Sequence, residues 1–187
     1  MSSSERFPRL IIAGLLAALT ASCATTDGEA PMATTSGPGL GRAATPQEIA
    51  AWDISIPPSG EGLPPGRGTA KAGAAVYTAQ CQACHGPKGE GKPADRLVGG
   101  IGTMGTEQQV MTVGSFWPYA TTLFDYTRRA MPATKPLSLT SDEVYAVTAY
   151  LLFLNGIIAE DAEMNPATLP QVRMPNRDGF IDKSQRR

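Results

Sequence analysis

Residues 81–91 read CQACHGPKGEG. Cys81 and Cys84 lie three apart, and His85 follows the second cysteine directly. The whole chain of 187 residues holds three cysteines and one histidine, so this turn takes two of the three thiols and the only imidazole. Just upstream, Gly73 and Tyr77 are four apart, on one face of a helix expected from about Thr69 to Cys84. Downstream, glycine and proline dominate. With 20 Gly and 16 Pro, the composition favours short helices joined by irregular loops. The near balance of 16 Lys and Arg against 17 Asp and Glu leaves no basic surface for nucleic acid, and no such partner is expected.

Three chemistries use cysteines at this spacing. A zinc site needs about four protein ligands when structural and about three when catalytic. Here His85 is too close to Cys84 for the usual ligand spacing, and Cys23 is remote. A thioredoxin-type redox pair opens a helix after a strand, whereas this pair closes a helix. The remaining reading is covalent c-type haem attachment. Each thiol, Cys81 and Cys84, forms a thioether to the haem, and His85 becomes the proximal iron ligand.

The sixth ligand has to come from the opposite haem face, hence from well downstream. With no second histidine, two histidine ligands from this chain are excluded. Met131 stands in RRAMP, where Pro132 ends a helix and turns the sulfur outward. Met104 and Met111 come early and read as loop or core residues. Met164 and Met174 lie past the last core helix. Met131 is therefore the expected distal ligand, and methionine–histidine ligation raises the haem potential. No other residues form a nucleophile with its base, so the chain reads as an electron carrier, not catalytic alone.

The rest of the chain is organised around this centre. Arg6 and Arg9 precede the apolar run LIIAGLLAALT, a signal peptide over 1–22 that is too short to span a bilayer comfortably. Two readings stand for Cys23: ordinary cleavage nearby, or lipidation as a new N-terminus, since LTASC resembles a lipobox with Thr20 in place of leucine. Either way the mature protein works outside the cytoplasm, in the periplasm. Residues 23–44 form a polar tether without apolar period. An N-terminal strap follows at 45–68. It opens with a capping box, Thr45 and Glu48, around Pro46. The cytochrome-type domain is expected at 69–160. Its second helix runs from near Pro118 to Met131. Its third opens with the capping box Thr140–Glu143, is apolar nearly all round at Leu151, and stops at Asn155-Gly156. No strand pattern is visible. Arg128 and Arg129 read equally as solvated helix-end charges or as partners of a haem propionate or an acidic protein. Trp117, Tyr119, Phe124 and Tyr126 read as core or pocket wall. The irregular arm, 161–187, is either a strap on its own domain or a clasp on another subunit. The clasp reading implies that truncation after Glu160 spares haem incorporation.

The arrangement resembles class I cytochromes c, an all-α fold in which an N-terminal helix crosses a C-terminal one beside the haem. Gly73 and Tyr77 match the crossing positions, and AYLL at 149–152 matches the partner helix. Longer stretches resemble the cytochrome subunit of periplasmic Sox-type sulfite or sulfur dehydrogenases (SoxD-like). They are AAWDISIPPSGEGLPPGRG from Ala50, PADRLVGG from Pro93, TVGSFWPYATTLFDYTRRAMP from Thr112, DEVYAVTAYLLFLNGIIAED from Asp142 and RMPNRDGF from Arg173. The resemblance implies one covalent haem c on Cys81 and Cys84, with His85 proximal and Met131 distal. It also implies a molybdopterin-containing partner subunit that oxidises the sulfur compound, and a soluble cytochrome c as acceptor. Lipidated Cys23 would add a membrane anchor. An independent electron shuttle, serving another dehydrogenase or a terminal oxidase, is the alternative.

Overall fold

The structure, a computed structural model, describes residues 41–181. The signal segment 1–22, Cys23, the tether as far as residue 40, and residues 182–187 lie outside the described residues.

The first helix, α1 (Pro46–Trp52), forms where the sequence places it. The Thr45 hydroxyl accepts from the Glu48 amide, and the Glu48 carboxylate accepts from the Thr45 amide. Proline at the first position loses no hydrogen bond there. None of its residues is buried. The strap then crosses the domain, held at several points through its backbone. The Ile56 amide donates to the Asp125 carboxylate (3.1 Å). The Tyr145 hydroxyl donates to the Pro64 carbonyl (3.0 Å). The Arg67 amide donates to the Asp142 carboxylate (2.8 Å).

The expected single helix ending at Cys84 is two helices, α2 (Ala70–Gln80) and α3 (Gln82–His85). Cys81 departs from helical geometry with φ −124° and ψ −37°. Its amide still donates to the Tyr77 carbonyl, and its own carbonyl accepts from His85. No local sequence rule demands the break. The chain is folded back by a tertiary tie, because the buried Tyr77 hydroxyl donates to the Gly86 carbonyl (2.8 Å). Gly86, at φ +81°, supplies the left-handed residue that ends α3.

Two further helices complete the set: α4 (Ala120–Ala130) and α5 (Ser141–Leu154). The α5 helix has the full Thr140–Glu143 capping box and ends at Asn155. It buries Val144 to Ala149 without interruption, then Leu151 and Leu152, so it is the central core helix. Helix α2 crosses it at Gly73: a Cβ there would fall on the Ala146 carbonyl, and the Tyr150 Cβ would lie at 2.8 Å. Tyr77 and Tyr150 pack with ring centroids 5.3 Å apart. The crossing thus begins one turn before the AYLL stretch.

A short antiparallel pair, β1 (Gly68–Thr69) with β2 (Glu163–Met164), was not visible in the sequence. Two residues are too few to show an alternating pattern. Beyond β2, the arm turns through a 3-10 segment, Leu169–Gln171, and buries Met164, Leu169 and Met174 in the same core. Residues 163–176 are therefore a strap on their own domain. No helix among the described residues is long and apolar enough to cross a membrane.

Candidate functional site

The turn Cys81–His85 is carried on α3, with Cys81 half-buried and Cys84 exposed. Neither thiol is in a disulfide. Burial, and then the neighbouring Cys84, pushes the Cys81 thiol up to about 11. A disulfide-exchanging pair needs the opposite shift, toward a thiolate at neutral pH. Among the described residues no three His, Cys, Asp or Glu side chains gather into a metal-binding group. The raised Cys81 thiol runs against an activated redox pair.

His85 is oriented by its backbone surroundings. Its Nδ1 lies 2.8 Å from the Asp95 carbonyl oxygen. A carbonyl only accepts, so Nδ1 carries the proton. In a neutral imidazole the lone pair is then on Nε2, the form in which histidine binds a metal. The loop carrying Asp95 is fastened to the turn itself. The Gly91 amide donates to the His85 carbonyl (2.8 Å), and Ala94 donates to Cys84 (2.9 Å). The Leu97 and Val98 amides both donate to Gly89. The exposed Glu90 carboxylate accepts from the Lys88 amide at 2.7 Å, and backbone hydrogen bonds hold its pKa below the ordinary value.

Asn155 fixes the far end of this loop to the core helix. Its amide nitrogen donates to the Leu97 and Leu151 carbonyls (3.2 and 2.9 Å), and its oxygen accepts from Gly99 (3.0 Å). Sequence reasoning read Asn155 only as a stop residue. The Asp95 contribution was also missed, because a backbone carbonyl leaves no side-chain signature. From Gly99 the network continues through the Thr112 hydroxyl, which donates to the Gly99 carbonyl at 2.6 Å. Ser115 closes the turn before α4 by donating to Val110 (2.5 Å).

Met131 lies on a different element from the three motif residues. It is the half-buried residue after α4, extended at φ −121° and ψ 143°, with its amide donating to Thr127 (3.0 Å). Pro132 follows, as the sequence requires for a helix end. Arg129 pairs with Asp125, and the Arg128 guanidinium reaches the Ile54 carbonyl (3.5 Å). Both arginines therefore have partners on the domain itself. Of the aromatic residues, Phe124 is core, against Tyr145 at 4.4 Å. Trp117 is half-buried and meets Tyr126 edge-on at 5.5 Å. Tyr126 itself is exposed, so of the two readings, core or pocket wall, it is not core. Tyr119 stacks under the Arg177 guanidinium at 4.4 Å. Met104 is half-buried in its loop, and Met111 is exposed.

The donor chemistry fits a haem c. Two thiols sit about one helical turn apart, an imidazole presents Nε2, and a thioether ends a separate helix. This is the set that cytochromes use for attachment and axial ligation.

The family described as cytochrome c oxidase, cbb3-type, subunit III, matches residues 68–151. The crystal structure of the sulfane dehydrogenase SoxCD from Paracoccus pantotrophus contains a chain 41% identical to this one, with a TM-score of 0.73. The match covers 79% of this chain and 74% of that chain. A chain of the thiosulfate dehydrogenase TsdBA from Marichromatium purpuratum, in its as-isolated form, is 26% identical over 45% of this chain and 17% of its own, with a TM-score of 0.34. A comparison with the curated proteins gave no match. A cytochrome c domain implies haem c and electron transfer. Identity at this level over most of both chains reaches far past a shared fold, and the chain belongs to the c-type cytochromes, in the family of the matched chain of the sulfane dehydrogenase SoxCD.

Proposed function

We propose that this chain is the electron-transfer subunit of a molybdenum-dependent dehydrogenase that oxidises sulfite or sulfane sulfur in the periplasm. One observation carries the reading. The likeness to the SoxCD chain extends over 79% of this chain, whereas the cytochrome domain match at 68–151 is less than half of its 187 residues. A carrier sharing only the cytochrome fold has no need to share so much of the chain outside that domain.

Cys81 and Cys84 would hold the haem through thioethers. The Asp95 carbonyl keeps His85 in the tautomer whose Nε2 would bind iron, and the Met131 sulfur would be the second axial ligand. There is one haem, because the chain has one Cys-x-x-Cys-His motif. Bound haem supplies a one-electron couple, whose potential methionine–histidine ligation raises. The donor is a molybdopterin-containing partner subunit and the acceptor a soluble cytochrome c. The segment 1–22 directs export, and lipidated Cys23 tethers the complex to a membrane surface.

The test is metal content. The tagged protein is purified gently from its native host, grown on a reduced sulfur compound, and molybdenum is measured per haem iron. A near-stoichiometric ratio is expected. Haem without molybdenum, under conditions that preserve the complex, would leave an independent electron shuttle.

A further inference from the structure

The α4 helix is anchored unevenly. Its first half is held by apolar packing through Ala120, Leu123 and Phe124. Past Phe124 its only buried side chains are polar, Asp125 and Thr127. Thr127 accepts the Met131 amide through its backbone carbonyl. Tyr126 is exposed and meets Trp117 edge-on, and Arg129 is exposed beyond its pairing with Asp125. The end of α4 that delivers Met131 therefore has little apolar packing of its own.

Asp125 supplies what packing does not. It is 7% exposed, and one carboxylate oxygen accepts the Ile56 amide at 3.1 Å. The other pairs with Arg129 on the next turn. Ile56 is itself a core residue, and Arg128 adds a second reach to the strap at the Ile54 carbonyl. A buried carboxylate joined to a backbone amide across the domain is a charge-assisted bond, stronger than a neutral one. Losing it leaves a buried donor unpaired.

We propose that Asp125 is a positioning residue for the distal iron ligand: by locking the last turns of α4 to the strap at Ile56, it holds Met131 on the haem side. The inference rests on Met131 being that ligand. The strap is then a clamp on ligation, although it contributes no ligand. Linkage makes the coupling reciprocal. If the Ile56–Asp125 bond favours bound methionine, displacing methionine must loosen that bond.

The test uses the full-length haem-loaded protein in its oxidised form. Imidazole competes with methionine for iron, and loss of the weak long-wavelength methionine–iron band reports the exchange. Asp125→Ala is expected to bind imidazole about tenfold more tightly, the change that losing one hydrogen bond to a charged group brings. Asp125→Asn keeps an oxygen for the Ile56 amide but loses the charge, and is expected to fall between the native protein and Asp125→Ala. Met164→Ala, on β2, which packs against α5 and β1, loosens the core away from α4 and is expected to lower thermal stability without changing imidazole affinity. Equal affinities for Asp125→Ala and the native protein would overturn the proposal, as would equal effects of Asp125→Ala and Met164→Ala. Should Asp125→Ala yield no folded protein, hydrogen exchange on the native protein decides. Saturating imidazole is expected to speed exchange of the Ile56 amide, and an unchanged rate sinks the idea. Met131→Ala separates the two readings: a methionine–iron band that survives in that variant refutes the ligand assignment and leaves the clamp without an object.

Discussion

His85 shows how little of a ligand is in its own side chain. In the proposed site the imidazole keeps Nε2 free for iron because the Asp95 carbonyl takes its Nδ1 proton into a hydrogen bond. Met131 depends in the same way on its neighbours, through the last turn of α4 and Pro132. Replacing it separates ligation from attachment. Met131→Ala is expected to retain covalent haem on a denaturing gel and to lose the methionine–iron band. Tyr145 carries a pH prediction. Burial pushes its phenol from the ordinary 10 up to about 12, against a smaller opposing pull from Arg128. The folded state then holds its proton where the unfolded chain has lost it. That contribution is complete below about pH 10 and disappears as pH rises toward about 12. Denaturant midpoints across this range should fall for the native protein and fall less steeply for Tyr145→Phe. The variant should also start slightly lower at neutral pH, because it loses the bond to Pro64.

At the scale of elements, the α2–α5 crossing sets the frame for the haem turn. Alanine is a better helix former than glycine by about 1 kcal/mol, which alone predicts that Gly73→Ala stabilises α2. The crossing reverses the sign. The added methyl would meet backbone, the Ala146 carbonyl, which cannot rotate away as a side chain can. Overpacking of this kind costs about 1–3 kcal/mol or more. Thermal unfolding should show a lower midpoint for Gly73→Ala, and a gain would mean that the helices separate freely. The capping box of α5 makes a smaller contribution. Thr140→Ala is expected to cost about 1 kcal/mol, read from the same melts. Both capping boxes were legible because their hydrogen bonds are local. The break between α2 and α3 was not, because it is made by Tyr77 reaching Gly86 across the turn.

The two ends of the described chain both close onto the same core. The strap binds α4 and α5 through Asp125, Tyr145 and Asp142. The arm contributes Met164, Leu169 and Met174. It also grips the segment before α4. Asn176 donates to the Phe116 carbonyl (2.7 Å), Arg177 covers Tyr119, and Phe180 meets Phe116 edge-on. The stretches GSFWPY and MPNRDGF, far apart in the chain, are thus two sides of one packing surface. Truncation after Glu160 therefore removes core, contrary to the expectation from a clasp alone. Loss of a buried methionine or leucine side chain costs about 2–5 kcal/mol, and three approach the whole stability of a domain, about 5–15 kcal/mol. The truncated protein should accumulate little haem-stained product after export, and native yield would show that the arm is dispensable to folding.

The sequence by itself determined the kinship, the two capped helix starts and the end of α4, and it set out the residues of the proposed haem site. Each is written in residues adjacent in the chain: CQACH, two capping boxes, Met131-Pro132, and long shared stretches. Tertiary structure alone decided the tautomer of His85, the roles of Asn155 and Asp125, and the fate of the arm. Those depend on which backbone group lies opposite a side chain after folding. A carbonyl or amide looks the same at every position of a sequence, so its partner becomes visible only when distant segments meet.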